Sequence, residues 1–219
     1  MTTVLITGAN RGIGLELARQ YAARGAEVIG VCRSPGRHLP ALGVRIVEGI
    51  ELGRAEEIAN LGAALGDTAL DVLVNCAGIL RPDRLETLDY DTLLEQYRVN
   101  ALGPLFVTRA LLPKLRDGAR VVIVSSRVGS LADNGSGNNY GYRMSKAAVN
   151  MAGVNLMHDL KPRGMAVLLV HPGLVGTEMT GGRGIDPAEA ARGIIERTDE
   201  LSLETSGTFR HAEGYALPW

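Results

Sequence analysis

VLITGANRGIG, residues 4–14, runs from an apolar segment through three glycines into a helical pattern. A strand, glycine turn and helix of this kind form a cradle for dinucleotide phosphates, because the helix N-terminus offers free N–H groups. Gly8 permits the tight exit from the strand, Gly12 leaves room for a diphosphate, and Gly14 lets the helix pack close to the sheet. The spacing, G-x-x-x-G-x-G, is a variant of the commoner G-x-G-x-x-G. The cofactor-binding residues predicted here are Gly8, Asn10, Arg11, Gly12, Ile13 and Gly14.

Length and charge narrow the class of protein. The chain has 219 residues, no linker-like segment and a net charge of −1, so we expect one domain spanning 1–219. Because there is no basic field, neither nucleic acid nor an anionic membrane is an expected partner. No basic leader precedes the first apolar run, and the longest apolar runs are too short to span a bilayer, which predicts a cytoplasmic protein. No metal site is predicted.

Apolar runs and helical patterns alternate along the chain. Strand patterns lie near 3–7, 27–32, 44–47, 70–75, 119–125, 165–170 and 206–209, and helical patterns near 12–24, 54–65, 90–116, 140–161 and 187–198. Most of the strands are uniformly apolar, which is typical of strands covered on both faces. The predicted fold is α/β: a single-domain doubly wound Rossmann fold with about seven parallel strands and helices on both faces. Ligands bind such folds beyond the carboxyl ends of the strands.

A cationic residue, Arg33, follows the second predicted strand, where NAD-binding proteins carry an acid. An acid would repel a 2′-phosphate, whereas a guanidinium binds it through paired hydrogen bonds. Arg33, with Arg37 and Arg11 nearby, therefore predicts NADP(H) as cofactor. The alternative is that these arginines are ordinary solvated loop residues.

Two further strand ends suggest cofactor contacts. Glu51 and Leu52 follow the third strand, where a carboxylate could accept a hydrogen bond from the adenine amino group, although a surface glutamate would look the same. The fourth strand ends in NCAG, residues 75–78, whose small side chains let a sugar and nicotinamide lie against the backbone, while the Asn75 amide could tie neighbouring strands together. The residues predicted to contact the cofactor here are Glu51, Leu52, Asn75, Ala77 and Gly78.

The candidate chemistry lies in YRMSK, residues 142–146. Residues four apart on a helix share a face, so the Lys146 ammonium should lie beside the Tyr142 ring and hydroxyl. Bringing a tyrosine pKa from about 10 to neutrality takes about 4 kcal/mol, much of which an adjacent cation in a dry cleft could supply. Such a phenol could give a proton to a carbonyl oxygen, or take one from an alcohol. A tyrosine and a lysine on an ordinary amphipathic helix are the alternative.

With these motifs in order, the chain resembles the short-chain dehydrogenase/reductase family along almost its whole length. The motifs are TGANRGIG, NCAG, the asparagine of RVNA at 98–101, the serine of IVSS at 123–126, YRMSK, and Pro172-Gly173. The resemblance implies that Tyr142 is the general acid/base, Lys146 lowers its pKa and holds the nicotinamide ribose, Ser126 orients the substrate oxygen, and Asn100 helps to hold a relay water. It also implies cofactor contacts from Tyr142, Lys146, Pro172, Gly173, Val175 and Thr177.

The match has two departures from the family pattern. Fifteen residues separate Ser126 from Tyr142 where the family has about a dozen, so Ser125, Ser130 and Ser136 compete for the serine role. The segment between Thr177 and Asp186 is short for a substrate lid. The loop NGSGNN, residues 134–139, and the final LPW, residues 217–219, resemble the C-factor and sniffer branch of carbonyl reductases.

Three functions remain open on the sequence. The resemblance favours NADP(H)-dependent reduction of a carbonyl (aldehyde, ketone or diketone) to an alcohol, or the reverse, with a small molecule as partner. A cofactor-binding signalling or redox-sensing module is the alternative, although it would not need the acid/base residues. A sugar-nucleotide epimerase or dehydratase is disfavoured by the glycine spacing and by the lack of room for a sugar-binding region.

Two structural expectations follow. With strands ordered 3-2-1-4-5-6-7, Cys32 and Cys76 have the first strand between them, about 9–10 Å apart, which is too far for a disulfide. Apolar residues on more than one face of the helices near 90–116 and 140–161, including Met151, Val154, Leu156 and Met157, indicate a homodimer or homotetramer.

Overall fold

The computed structural model describes residues 1–219 and contains one parallel sheet of seven strands in the order β3-β2-β1-β4-β5-β6-β7. This order confirms the strand order predicted from the sequence. The strands are β1 (Thr3–Thr7), β2 (Glu27–Val31), β3 (Arg45–Val47), β4 (Leu70–Asn75), β5 (Leu115–Val124), β6 (Ala166–His171) and β7 (Thr208–His211).

Helices cover both faces of the sheet, because alternate strand residues point to opposite sides. Val4 and Ile6 share one buried cluster with residues of the helices over 12–23 and 187–199, whereas Leu5 belongs to a second cluster with residues of the helices over 103–111 and 140–160. The helices are α1 (Gly12–Ala23), α2 (Ala55–Ala59), α3 (Leu61–Ala64), α4 (Tyr90–Tyr97), α5 (Gly103–Leu111), α6 (Tyr140–Leu160) and α7 (Pro187–Asp199). The doubly wound Rossmann architecture is therefore confirmed.

The long helix predicted over 90–116 is wrong in two respects. A π-helical segment, Arg98–Leu102, separates α4 from α5. The helix then ends at Leu111, and residue 115 already belongs to β5. Pro113 contributes to this end, since a proline lacks the N–H that would continue the helical hydrogen bonds.

The strand order reverses beside β1, which pairs with β2 on one side and with β4 on the other. The loops after β1, β4, β5 and β6 therefore meet at one edge of the sheet. Cys32 and Cys76 follow β2 and β4, have β1 between them, and are free thiols. No helix in the structure combines the length and the apolar character needed to cross a membrane.

Candidate active site

The glycine loop brings β1, α1 and the loop after β4 into close contact. Gly8 has φ +69°, and a Cβ on it would lie 2.8 Å from the Cα of Ala77. A Cβ on Gly14 would lie 2.2 Å from the Gly8 carbonyl oxygen. Only glycine permits this approach, so the close packing of the helix against the sheet that the sequence predicted is present.

The first turn of α1, which contains Ile13, has no side-chain cap. The preceding residue, Arg11, instead forms an ion pair with Glu178 at 2.5 Å, and the Asn10 amide donates to the Ser34 carbonyl at 3.0 Å. These contacts hold the loop from both sides and leave the first N–H groups of the helix without a capping side chain. An uncapped N-terminus that follows a glycine turn suits a phosphate.

The loops after β2 and β3 differ in whether their charged side chains have partners within the protein. Arg33 is exposed, and its guanidinium has no hydrogen bond or ion pair with the protein. Glu51, in contrast, lies 3.3 Å from Arg54 in an ion pair, and Leu52 is buried against Gly103. Arg37, in the same loop as Arg33, is also exposed and unpaired, so both arginines after β2 have a free charge to offer.

The end of β4 is tied to its neighbours by Thr7 rather than by Asn75. The Thr7 hydroxyl accepts hydrogen bonds from the backbone N–H groups of Cys76 and Ala77 at 3.1 and 3.2 Å. The Asn75 amide donates to Thr108 on α5 at 3.3 Å, and its oxygen is buried without a partner. The expectation that Asn75 ties neighbouring strands is therefore wrong, because its amide is directed at a helix.

Asn100 lies in the π-helical segment and is fully buried. Its side-chain oxygen accepts from the Ile79 N–H and its amide donates to the Ile79 carbonyl, both at 2.8 Å. The same amide donates to Ser145 at 3.0 Å, and Ser145 donates to the Tyr142 carbonyl at 2.7 Å. Asn100 thus connects the loop after β4 to the first turn of α6.

Tyr142 and Lys146 share a face of α6, as the spacing predicted. The Lys146 ammonium nitrogen lies 5.6 Å from the centroid of the Tyr142 ring and donates to the Val124 carbonyl at 2.9 Å. A Cβ on Gly78 would lie 3.7 Å from that nitrogen and 3.2 Å from the Asn100 side-chain oxygen. The end of β4 therefore lies directly beside the lysine.

Ser126 lies near Tyr142, close enough for its hydroxyl to lower the pKa of the phenol, and the same hydroxyl accepts a hydrogen bond from the Val128 N–H at 3.4 Å. The neighbouring Ser125 is turned away, since its hydroxyl donates to Asn150 at 2.6 Å in the interior. The two other serines that the sequence left in competition are also occupied, Ser130 by the Trp219 carbonyl and Ser136 by Arg143. The arrangement therefore singles out one serine.

The pKa values of the pair differ from the expectation. Burial raises the pKa of Tyr142 to about 12, opposed in part by the nearby Ser126 hydroxyl, and Lys146 is not among the groups that shift it. Burial also lowers the pKa of Lys146 to about 8. The expected lowering of the tyrosine pKa by the lysine is wrong for the protein's own groups, because the ammonium is directed at a backbone carbonyl and desolvation dominates. A phenol that stays protonated at neutral pH suits a proton donor.

The segment after β6 returns to the glycine loop. Pro172 and Val175 are buried, and Gly173 has φ +90°. A Cβ on Gly12 would lie 3.2 Å from the Thr177 methyl group. Thr177 therefore packs against the glycine loop, and its methyl group leaves little room for a side chain at position 12.

Two residues that the sequence analysis missed support the site. The buried Asp83 carboxylate accepts hydrogen bonds from the first N–H groups of α6, and Gln96 exchanges hydrogen bonds with the Arg81 backbone in the same loop. No local motif marks either residue, since each acts on a segment that is distant in sequence.

Known proteins match both the sequence and the structure. The family model described as short chain dehydrogenase matches residues 2–187. The 1-hydroxy-2-glutathionyl-2-methyl-3-butene dehydrogenase of Rhodococcus sp. (strain AD45) is 44% identical, with all of both chains covered. The C-signal protein of Myxococcus xanthus is 46% identical over 68% of this chain and 93% of its own.

Two solved carbonyl reductases align with the whole chain. The NADPH-bound enzyme from chicken fatty liver has a TM-score of 0.92 at 30% identity, with 99% of its chain covered. The carbonyl reductase Sniffer of D. melanogaster has a TM-score of 0.92 at 29% identity, with all of its chain covered. These similarities confirm the resemblance to the C-factor and sniffer branch. The chain is an oxidoreductase that belongs to the short-chain dehydrogenase/reductase family.

Proposed function

We propose that residues 1–219 form one domain that interconverts a carbonyl compound and an alcohol with NADP(H), using Tyr142 as the proton donor and acceptor. The observation that carries this proposal is the meeting of Ser126, Tyr142 and Lys146 beside Asn100 and the glycine loop. The NADPH held by the chicken carbonyl reductase supports the choice of cofactor. The alcohol named for the Rhodococcus dehydrogenase supports the carbonyl/alcohol chemistry.

The residues present fit a dinucleotide phosphate. The uncapped start of α1 would receive the diphosphate, and Thr177 lies against the same loop. The free guanidinium of Arg33 would pair with the 2′-phosphate. When bound, the nicotinamide supplies or removes the hydride. Glu51 contributes less in this proposal than expected, because Arg54 already occupies its carboxylate.

The chain's own residues handle the proton. Ser126 would hold the substrate oxygen beside the Tyr142 hydroxyl, which is protonated at neutral pH and can donate as the oxygen gains charge. Lys146, fixed by the Val124 carbonyl, would lie beside the cofactor ribose. Asn100 would position the loop after β4 against α6, since its amide oxygen and nitrogen bond to the Ile79 backbone and the nitrogen also donates to Ser145.

The test is NADPH consumption with a panel of aldehydes, ketones and diketones, followed by absorbance. We expect turnover by the native protein and its loss in Tyr142→Phe, with NADPH binding retained in both. The similarity to C-signal favours one other candidate, a cofactor-binding signalling protein. NADPH binding without turnover of any panel member, in either direction, would favour that candidate.

We also propose a homodimer that uses the exposed faces of α4 and α6. Met151 is 63% exposed and Tyr90 is 76% exposed, so apolar surface is available. Leu156 and Met157, expected to contribute, pack against the core instead. Light scattering should give a dimer mass, and Met151→Lys should shift it towards the monomer. A monomer mass for the native protein at micromolar concentration would contradict this.

A further inference from the structure

A polar, open cavity of about 360 Å³ lies beyond the carboxyl end of β5. Its wall comes from the loop after β5 and from the first turn of α6. The lining residues are Arg127, Val128, Asp133, Gly135, Ser136 and Arg143. The two arginines directly follow Ser126 and Tyr142 in the chain, so the backbone of the cavity wall continues directly from the proposed reacting residues.

The Arg143 side chain connects the segments of this wall by hydrogen bonds. Its Nε donates to the Asn138 carbonyl at 3.0 Å, and its terminal nitrogens donate to the Val128 carbonyl at 3.4 Å and to the Ser136 hydroxyl at 2.8 Å. Every nitrogen of this guanidinium is therefore used within the protein. Arg143 holds the loop in place and, in contrast to Arg127, has no nitrogen that lacks a hydrogen bond within the protein.

Arg127 is different. Only its Nε is bound, to the Asp133 carboxylate, and its two terminal nitrogens have no partner in the protein. The side chain is 53% exposed on the cavity wall. Two parallel N–H donors on a planar group match the two oxygens of a carboxylate. Arg127 therefore presents an unused fork next to Ser126.

The charge of the cavity favours an anion. Arg127 and Arg143 outnumber the single carboxylate, Asp133, so the lining carries one net positive charge. Burial lowers the pKa values of His171 and His211 at the ends of β6 and β7, and the Arg127 charge lowers both further. Arg127 thus lies close enough to these strand ends to affect them, on the side where the loops after β5 and β6 meet.

We propose that Arg127 binds a carboxylate on the substrate, so that the enzyme prefers carbonyl compounds and alcohols that carry an acid group away from the reacting carbon. This inference rests on the proposed carbonyl chemistry and adds the class of substrate. Asp133 holds the guanidinium by its Nε side and leaves the fork free. The preference should be expressed mainly in KM, because the contact lies away from the reacting atoms.

The test compares 4-carboxybenzaldehyde with its uncharged methyl ester as substrates with NADPH. A charge-assisted bond predicts that the native enzyme favours the acid by about tenfold or more in kcat/KM. Arg127→Gln should remove that preference and leave the ester unchanged. The double variant Arg127→Gln/Asp133→Asn should also show no preference for the acid. This result would exclude the explanation that Arg127→Gln loses the preference because an unpaired Asp133 repels the substrate carboxylate. Arg24→Gln, which removes a similarly exposed, ion-paired arginine between α1 and α7, should keep the preference.

Equal use of acid and ester by the native enzyme, or an equal loss of both in Arg127→Gln, would overturn the assignment while leaving carbonyl reduction intact. If neither aldehyde is reduced, calorimetric binding of 4-carboxybenzyl alcohol in the presence of NADP decides the matter. Binding that Arg127→Gln abolishes supports the carboxylate site, and absent or unchanged binding refutes it. Failure of the whole carbonyl panel would instead count against the proposed function.

Discussion

The buried carboxylate of Asp83 caps the helix that carries Tyr142, accepting the Gly141 N–H at 3.0 Å and the Tyr140 N–H at 2.5 Å. The residue that precedes the helix, Asn139, has φ +49° and makes no side-chain cap. A Cβ on Gly141 would lie 2.3 Å from the Gln96 amide nitrogen, so a larger residue there would displace the Gln96 side chain. The loop after β4 therefore fixes where α6 begins, two residues before Tyr142.

Asp83→Ala should lower both stability and kcat. It leaves two helix N–H groups without their acceptor, which costs about 1–3 kcal/mol in urea unfolding. It also loosens the turn that places Tyr142, so kcat should fall while NADPH affinity is retained. Asp186→Ala is the matched control, because Asp186 caps α7 by accepting the Ala188 N–H at 2.8 Å. It should lose similar stability with kcat unchanged, and an equal kcat loss in both variants would count against a positioning role.

Arg33→Gln should narrow a preference for NADPH over NADH. A charge-assisted pair contributes about 1.5–3 kcal/mol, so the native preference in kcat/KM should be about tenfold or more. The variant should lose mainly NADPH affinity, whereas Arg19→Gln, which removes an arginine paired with Glu16 on α1, should lose none. Equal efficiency of the native enzyme with both cofactors would refute the role of Arg33.

Lys146→Met should abolish turnover yet stabilise the fold at pH 7. The pKa of Lys146 falls from 10.5 in the unfolded chain to about 8, so the folded protein releases this proton first and stability rises with pH between those values. At pH 7 the variant lacks a buried ammonium and should be more stable by about 1–3 kcal/mol. Urea unfolding at several pH values should show that the difference in unfolding free energy between the variant and the native protein becomes smaller towards pH 10.5. A variant that is less stable at pH 7 would contradict the burial argument.

The two thiols should be unreactive in the folded protein. Burial raises the pKa of Cys76 to about 12 and also raises that of Cys32. At pH 8 both should resist iodoacetamide in the native state and react once the protein is denatured, as counted by mass spectrometry. An intramolecular disulfide in the non-reduced protein would contradict the strand order.

The sequence predicted the sheet well because strands buried on both faces are mostly apolar, as in the central runs 4–6 of β1, 72–74 of β4 and 166–170 of β6. It also predicted the shared face of Tyr142 and Lys146, since helical spacing determines it. Asp83 escaped detection because its hydrogen-bond partners lie 57 and 58 residues away in the chain. The direction of the Tyr142 pKa shift escaped because it depends on the surrounding packing, which spacing does not reveal.

The most direct test of the account compares the two tyrosines at the start of α6. Tyr142 contacts Ser126 and lies beside Lys146, whereas Tyr140 is 38% exposed. Positions 140 and 146 differ by about 240° around the helix, so the lysine cannot serve both rings. General acid catalysis predicts that Tyr142→Phe loses about a hundredfold or more in kcat with NADPH binding retained, while Tyr140→Phe changes kcat only modestly. Loss of turnover in Tyr140→Phe together with normal turnover in Tyr142→Phe would contradict the proposed mechanism.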